Sequence, residues 1–305
     1  MFTGRLRVNQ KIIPTSDTKL LFILGSPRVG STLLYQIIIN HFDVFYPANS
    51  LNKIFESDSV LFSELPIASK CSEFVDYKSL YGKTSGEDQP SEASGLFRHF
   101  FGGEHPSESK SKEPLPGLEK EFVQFMNQLF IGNNKPLVFK NAWNCFRIKF
   151  LSQVFPKACF LWVRRDLAAS AYSDLQSRRN RGSTEIWNSA STENYKAIQK
   201  LPYWEQVVEQ QYSYAQCISK DLSQLTCSGY FEVWYEDLCE KTNKTIDELK
   251  SFLEPHGFIP KNIKNSLQLK KSNGGTDVKK SNDWAKISKY AEAGKFSSMR
   301  HTLQR

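Results

Sequence analysis

The chain has 305 residues, 40% of them hydrophobic and 13% aromatic, which excludes general disorder and suits one α/β domain with insertions or two small domains. The longest apolar run near the start, Leu20 to Leu24, is too short to span a bilayer, and Met1 to Lys19 lacks the apolar stretch of a signal peptide. The net charge of +8 sits entirely in residues 261–305, which hold eleven Lys+Arg against three Asp+Glu; such a basic tail on a neutral body suits an anionic ligand, a nucleic acid, a membrane surface or simply a solvated face.

In chain order, Leu20 to Leu24 predict a buried strand, ended by Gly25 and Pro27. Leu33, Leu34, Ile37, Ile38 and Phe42 then mark a helix face beginning near Ser31. Residues 118–131 predict another helix stopped by Gly132, and 136–140 a strand ending in Lys140. A helix through Phe150, Leu151 and Val154 leads to the most apolar strand, 159–163. Helices over 167–179 and 203–225, a strand over 231–235 and a helix through Ile246, Leu249 and Leu253 complete the alternation. This pattern predicts an α/β domain with a parallel, P-loop-type sheet flanked by helices.

Residues 82–117 interrupt it with many Gly, Pro and Ser; they predict a mobile flap over the site, with one short helix at 96–101. Residues 261–305 read as a basic C-terminal tail of the same single domain, 1–305. None of the six cysteines forms a C-x-x-C pair, so reduced thiols, no metal and a cytoplasmic protein are expected.

A strand, a glycine-containing loop and a helix aim backbone N–H groups and the helix dipole at an anion. Gly25-Ser26-Pro27-Arg28-Val29-Gly30-Ser31-Thr32 has the G-x-x-x-x-G spacing of a nucleotide loop, but Ser31 stands where a Walker loop needs Lys. That weakens a Mg²⁺-dependent kinase or NTPase, although this remains an alternative, as does a non-catalytic anion-binding protein. Arg28 supplies charge from within the loop, and Ser31 and Thr32 supply hydroxyls. A second candidate anion site lies at the end of strand 159–163, where Arg165 and, eight residues on, Ser173 can converge on one phosphate.

Ser26-Pro27-Arg28-Val29-Gly30-Ser31-Thr32-Leu33-Leu34 resembles the 5′-phosphosulfate loop of the PAPS-dependent sulfotransferases, closer to the bacterial and tyrosylprotein branches than to the cytosolic aryl branch. Arg165-Asp166-Leu167 with Ser173 is similar to that family's 3′-phosphate motif, with Leu167 in place of the usual proline. Val138-Phe139-Lys140-Asn141 resembles the strand end whose lysine faces the transferring sulfuryl group. The resemblance covers about 20–46 and 136–256. It implies transfer of a sulfuryl group from PAPS (3′-phosphoadenosine 5′-phosphosulfate) to an acceptor hydroxyl or amine of a small molecule, glycan or lipid, with release of PAP and no metal. Nucleic acid is not an expected partner.

On this reading Arg28 and Lys140 stabilise developing negative charge, and residues 26–32, Arg165 and Ser173 hold the donor. The proton-accepting base is open: Glu92, in an Asp88-Gln89-Pro90-Ser91-Glu92 run similar to one in bacterial members, leads His99, Glu104 and His105. Lys270-Lys271, upstream of Asp283-Trp284, loosely resemble a loop that closes on the 3′-phosphate in cytosolic members, although the spacing departs from it.

Overall fold

A computed structural model describes residues 18–56, 74–103, 112–225, 229–263, 267, 269 and 281–299. Its centre is a four-stranded parallel sheet of β1 (Leu20–Leu24), β2 (Leu137–Lys140), β3 (Cys159–Arg164) and β4 (Tyr230–Trp234), in the order β2-β1-β3-β4. All five β1 residues are buried, as required of a strand covered on both faces. Side chains alternate between those faces. Leu20, Phe22 and Leu24 enter one core cluster, and Leu21 and Ile23 enter the other. Phe22 stacks between its register partners Phe139 and Phe160, with ring centroids 5.9 and 5.7 Å away, so three strands share one aromatic ladder.

Helix α1 (Ser31–His41) follows β1, and α2 (Asn49–Glu56) comes next. α3 (Ser94–Phe101), α4 (Glu119–Asn133) and α5 (Ile148–Val154) precede β3. After it come α6 (Leu167–Asn180), the short α7 (Tyr195–Ile198) and α8 (Tyr203–Leu222). Beyond β4 the chain forms α9 (Tyr235–Glu240), α10 (Thr242–Leu253) and α11 (Asn282–Ala291). The sheet flanked by helices is the expected α/β architecture. Tyr235, placed in the last strand by its apolar run, instead opens α9.

Two further segments contribute to the packing. In the 82–117 segment, Phe97, Phe100 and Phe101 of α3 are buried to within 1% and pack on Phe122, Phe125 and Phe139. The short helix expected at 96–101 is thus present and joins the core, since burying three large aromatic side chains is strongly favourable. In the 261–305 segment, α11 packs on α6 and α8 with Ile287 buried. Asp283 pairs with Arg179 at 2.5 Å and accepts from Tyr203 at 2.7 Å, so it serves the helix layer. Among the described residues, no helix is long and apolar enough to cross a membrane, and no His/Cys/Asp/Glu cluster could hold a metal.

Candidate active site

In the order β2-β1-β3-β4, the chain leaves β1 toward one neighbour and later returns to the other, so a crevice opens at their carboxyl ends. There lies a cleft of about 880 Å³ lined by the loop after β1, the loop after β3 and the end of β2. The loop after β1 thus shares one edge with two pieces of sequence more than a hundred residues further along the chain.

The first loop is shaped by backbone requirements. Gly30, with φ 95°, is the N-cap of α1 and provides no side-chain cap, and the first turn holds no acidic residue. The leading N–H groups of α1 therefore face the cleft's end of the helix without a protein anion. A Cβ at Gly30 would lie 2.5 Å from the Tyr235 ring, so only glycine fits. Arg28 also has a positive φ, 74°, a conformation costing a non-glycine residue about 1–3 kcal/mol. It is held there from several directions. Arg165 Nη1 donates to the Arg28 carbonyl at 3.0 Å, Arg28 Nε donates to Ser173 Oγ at 3.3 Å, and its guanidinium lies 5.0 Å from the Tyr81 ring centre. Burial lowers the Arg28 pKa; the Asp174 charge raises it and that of Arg165 lowers it.

The second loop therefore touches the first directly. Arg165 lies 4.5 Å over the Tyr235 ring, and its buried Nε donates to no described residue. A buried guanidinium N–H in that condition is costly unless an anion completes it. Arg28, Arg165, Ser173 and the uncapped end of α1 together fit a ligand carrying anionic groups at two places.

At the third corner Lys140, buried at the end of β2, forms an ion pair with Glu92, whose side chain keeps 38% of its exposure. The Asn141 amide donates to the Glu92 carbonyl at 2.9 Å and fixes the segment before α3. Gly82 closes over both: a Cβ there would lie 3.5 Å from Thr32 Oγ1, 3.6 Å from Glu92 Oε1 and 3.8 Å from Lys140 Nζ. Arg28, Thr32, Lys140, Glu92, Arg165 and Ser173 are thus gathered around one cleft.

Ser26, Pro27, Gly30 and Ser31 also line the cleft, whereas Val29 and His99 do not. The His99 ring packs 4.8 Å from Phe100 and 5.9 Å from Phe55, and burial lowers its pKa. Val29 is core, and the Ser26 hydroxyl and Pro27 carbonyl are both taken by Gln211. Ser31 is buried in the first turn of α1. Lys270, Lys271, Glu104 and His105 lie outside the described residues.

Four further residues shape the site. Tyr235 packs under both Gly30 and Arg165. Cys145 Sγ accepts from Gly25 N–H at 3.2 Å, where burial pushes its thiol up to about 12. Asn188 and Ser189 form a polar wall of the cleft, Ser189 with φ 64°. Asn188 Nδ2 donates to Asp174 Oδ1 at 2.7 Å, and that fully buried carboxylate also pairs with Arg178 at 3.0 Å. Only Tyr235 had a local signal, an aromatic at the end of an apolar strand.

Residues 21–256 match the model of the sulfotransferase family. No curated protein matches the sequence. Among solved structures, a sulfotransferase domain from the curacin biosynthetic pathway is 19% identical, with a TM-score of 0.45 over 78% of this chain and 75% of that one. A sulfotransferase from Alicyclobacillus acidocaldarius is 12% identical, with a TM-score of 0.45 over 92% of this chain and 94% of its own. One from Mycobacterium tuberculosis is 13% identical, with a TM-score of 0.46 over 79% and 68% respectively.

Proposed function

Given that the chain belongs to the sulfotransferase family, we propose that it transfers a sulfuryl group from PAPS to an acceptor hydroxyl or amine and releases PAP. The observation that carries this reading is the contact between the two loops, Arg165 Nη1 to the Arg28 carbonyl and Arg28 Nε to Ser173 Oγ. It puts two anion sites side by side, as a donor with phosphate at both ends of its ribose requires. Arg165 and Ser173 bind the 3′-phosphate, while the loop amides, Thr32 and Arg28 bind the 5′ end.

In-line transfer builds negative charge on the sulfuryl oxygens and the leaving phosphate. Lys140 and Arg28 are fixed cations aimed at that charge in a partly dry cleft, where they are worth more than in water. Glu92, beside Lys140 and open to solvent, accepts the acceptor's proton. Its contact with Lys140 keeps a carboxylate at the point where the acceptor oxygen must approach. The same reading takes the enzyme to be cytoplasmic, with a small-molecule, glycan or lipid acceptor.

Calorimetry with PAP and with ATP–Mg²⁺ tests the donor. Micromolar PAP binding without comparable ATP binding supports it, and tighter ATP binding overturns it. With labelled PAPS and an acceptor panel, Lys140→Ala is expected to lower kcat by about 10²–10³-fold while changing PAP affinity far less.

A further inference from the structure

We propose that Gln211, on α8, is a positioning residue for the donor loop, and that the Ser26 hydroxyl serves this clamp rather than the ligand. The identity of the ligand rests on the sulfotransferase reading; the clamp rests on geometry. Gln211 is fully buried and stands 185 residues from Ser26. Both ends of its amide are used, in opposite senses. Oε1 accepts from Ser26 Oγ, and Nε2 donates to the Pro27 carbonyl at 2.9 Å.

The second bond has a directional consequence. In a trans peptide the C=O and the following N–H point opposite ways, and the structure has no cis peptide bond among its described residues. Drawing the Pro27 carbonyl toward α8 turns the Arg28 N–H away from α8. Proline fixes its own φ, so little freedom remains upstream. The clamp thereby holds Arg28 in its left-handed conformation and orients the amide that opens the anion-binding turn.

Two neighbouring glutamines provide a contrast. Gln206 and Gln210 are equally buried on α8, but their amides engage Arg178, the Gln199 and Leu201 carbonyls and the Asn188 carbonyl, not the loop. Loss of Gln206 should therefore cost stability without touching the loop.

The test compares full-length wild type, Gln211→Leu, Gln211→Glu, Ser26→Ala, the Gln211→Leu/Ser26→Ala double variant and Gln206→Leu. Each is measured by PAP calorimetry, thermal unfolding and hydrogen exchange of the Arg28 and Val29 amides without ligand. Gln211→Leu is expected to weaken PAP binding roughly 10- to 50-fold, from the loss of two buried hydrogen bonds, and to speed exchange at Arg28. Ser26→Ala is expected to cost less and to add nothing in the Gln211→Leu background, whereas Gln206→Leu lowers Tm with unchanged PAP affinity. Gln211→Glu keeps the acceptor and loses the donor, so it should follow Gln211→Leu at Arg28. Unchanged exchange in folded Gln211→Leu and Gln211→Glu overturns the clamp. Additive losses with Ser26→Ala overturn the assignment of the serine. If wild type takes up no PAP, the donor reading fails and the exchange data alone decide the clamp.

Discussion

The loop after β1 and the loop after β3 meet at one sheet edge, but they are built differently. The first relies on backbone: a left-handed glycine, a left-handed arginine and an uncapped helix end. The second relies on side chains, chiefly one guanidinium stacked on Tyr235 and one hydroxyl. A backbone site is sensitive to any Cβ or φ that does not fit, and indifferent to most side-chain chemistry. A side-chain site fails by degrees, according to the charge and reach of each donor.

Substitutions should separate the two. Gly30→Ala should be the most damaging, since its methyl meets Tyr235 and its φ is left-handed. About 2–4 kcal/mol of overpacking and strain is expected, weakening PAP binding roughly 30- to 1000-fold by calorimetry. Equal binding would mean that the first loop does not depend on this glycine. Arg165→Ala removes a charged donor worth about 1.5–3 kcal/mol, so PAP should bind about 10- to 150-fold more weakly and with a shallower salt dependence. Arg165→Lys should recover little, because the stacking and the bond to the Arg28 carbonyl need a planar group. Ser173→Ala loses one neutral donor, about 0.5–1.5 kcal/mol or roughly 2- to 10-fold.

A pH dependence tests the support of the first loop through stability rather than binding. Burial raises the Cys145 thiol from an ordinary 9.0 to about 12 in the fold, so between those values the folded chain keeps a proton that the unfolded chain releases. Stability should therefore fall as pH rises above about 9, and be lost progressively toward about 12. Urea unfolding of wild type and Cys145→Ala across pH 8 to 10.5 (about the usable range for this thiol) should show a shallower decline in the variant. Parallel declines would dissociate this thiol from the effect.

Both loops could be read from sequence because each is local: a strand, a few residues, a helix. Strand positions followed from apolar runs, and Arg28, Lys140 and Arg165 from their places at strand ends. What holds them was not readable in the same way. Gln211, Asn188 and Cys145 act across the fold, and a glutamine on a helix has the same local pattern whether it faces a loop or solvent. His99 was chosen by residue type within a polar stretch, but neighbouring Phe97, Phe100 and Phe101 govern that helix by their burial. α2 was not read from the sequence: Leu51, Ile54 and Phe55 have i, i+3, i+4 spacing, but three apolar residues among polar ones are too short a pattern to decide a helix.

The distance in sequence between the loop after β1 and its supports bears on how the molecule is made. A nascent chain that has emerged through α5 already contains β1, the loop and α1, but neither Gln211 nor Tyr235. Until α8 and α9 arrive, the Pro27 carbonyl lacks its bond from Gln211, and the space beside Gly30 lacks the Tyr235 ring. Contacts of such long range close slowly, since the loop entropy is lost before they form. Competence to bind anions should thus appear late in folding, after the sheet has collected its last strand.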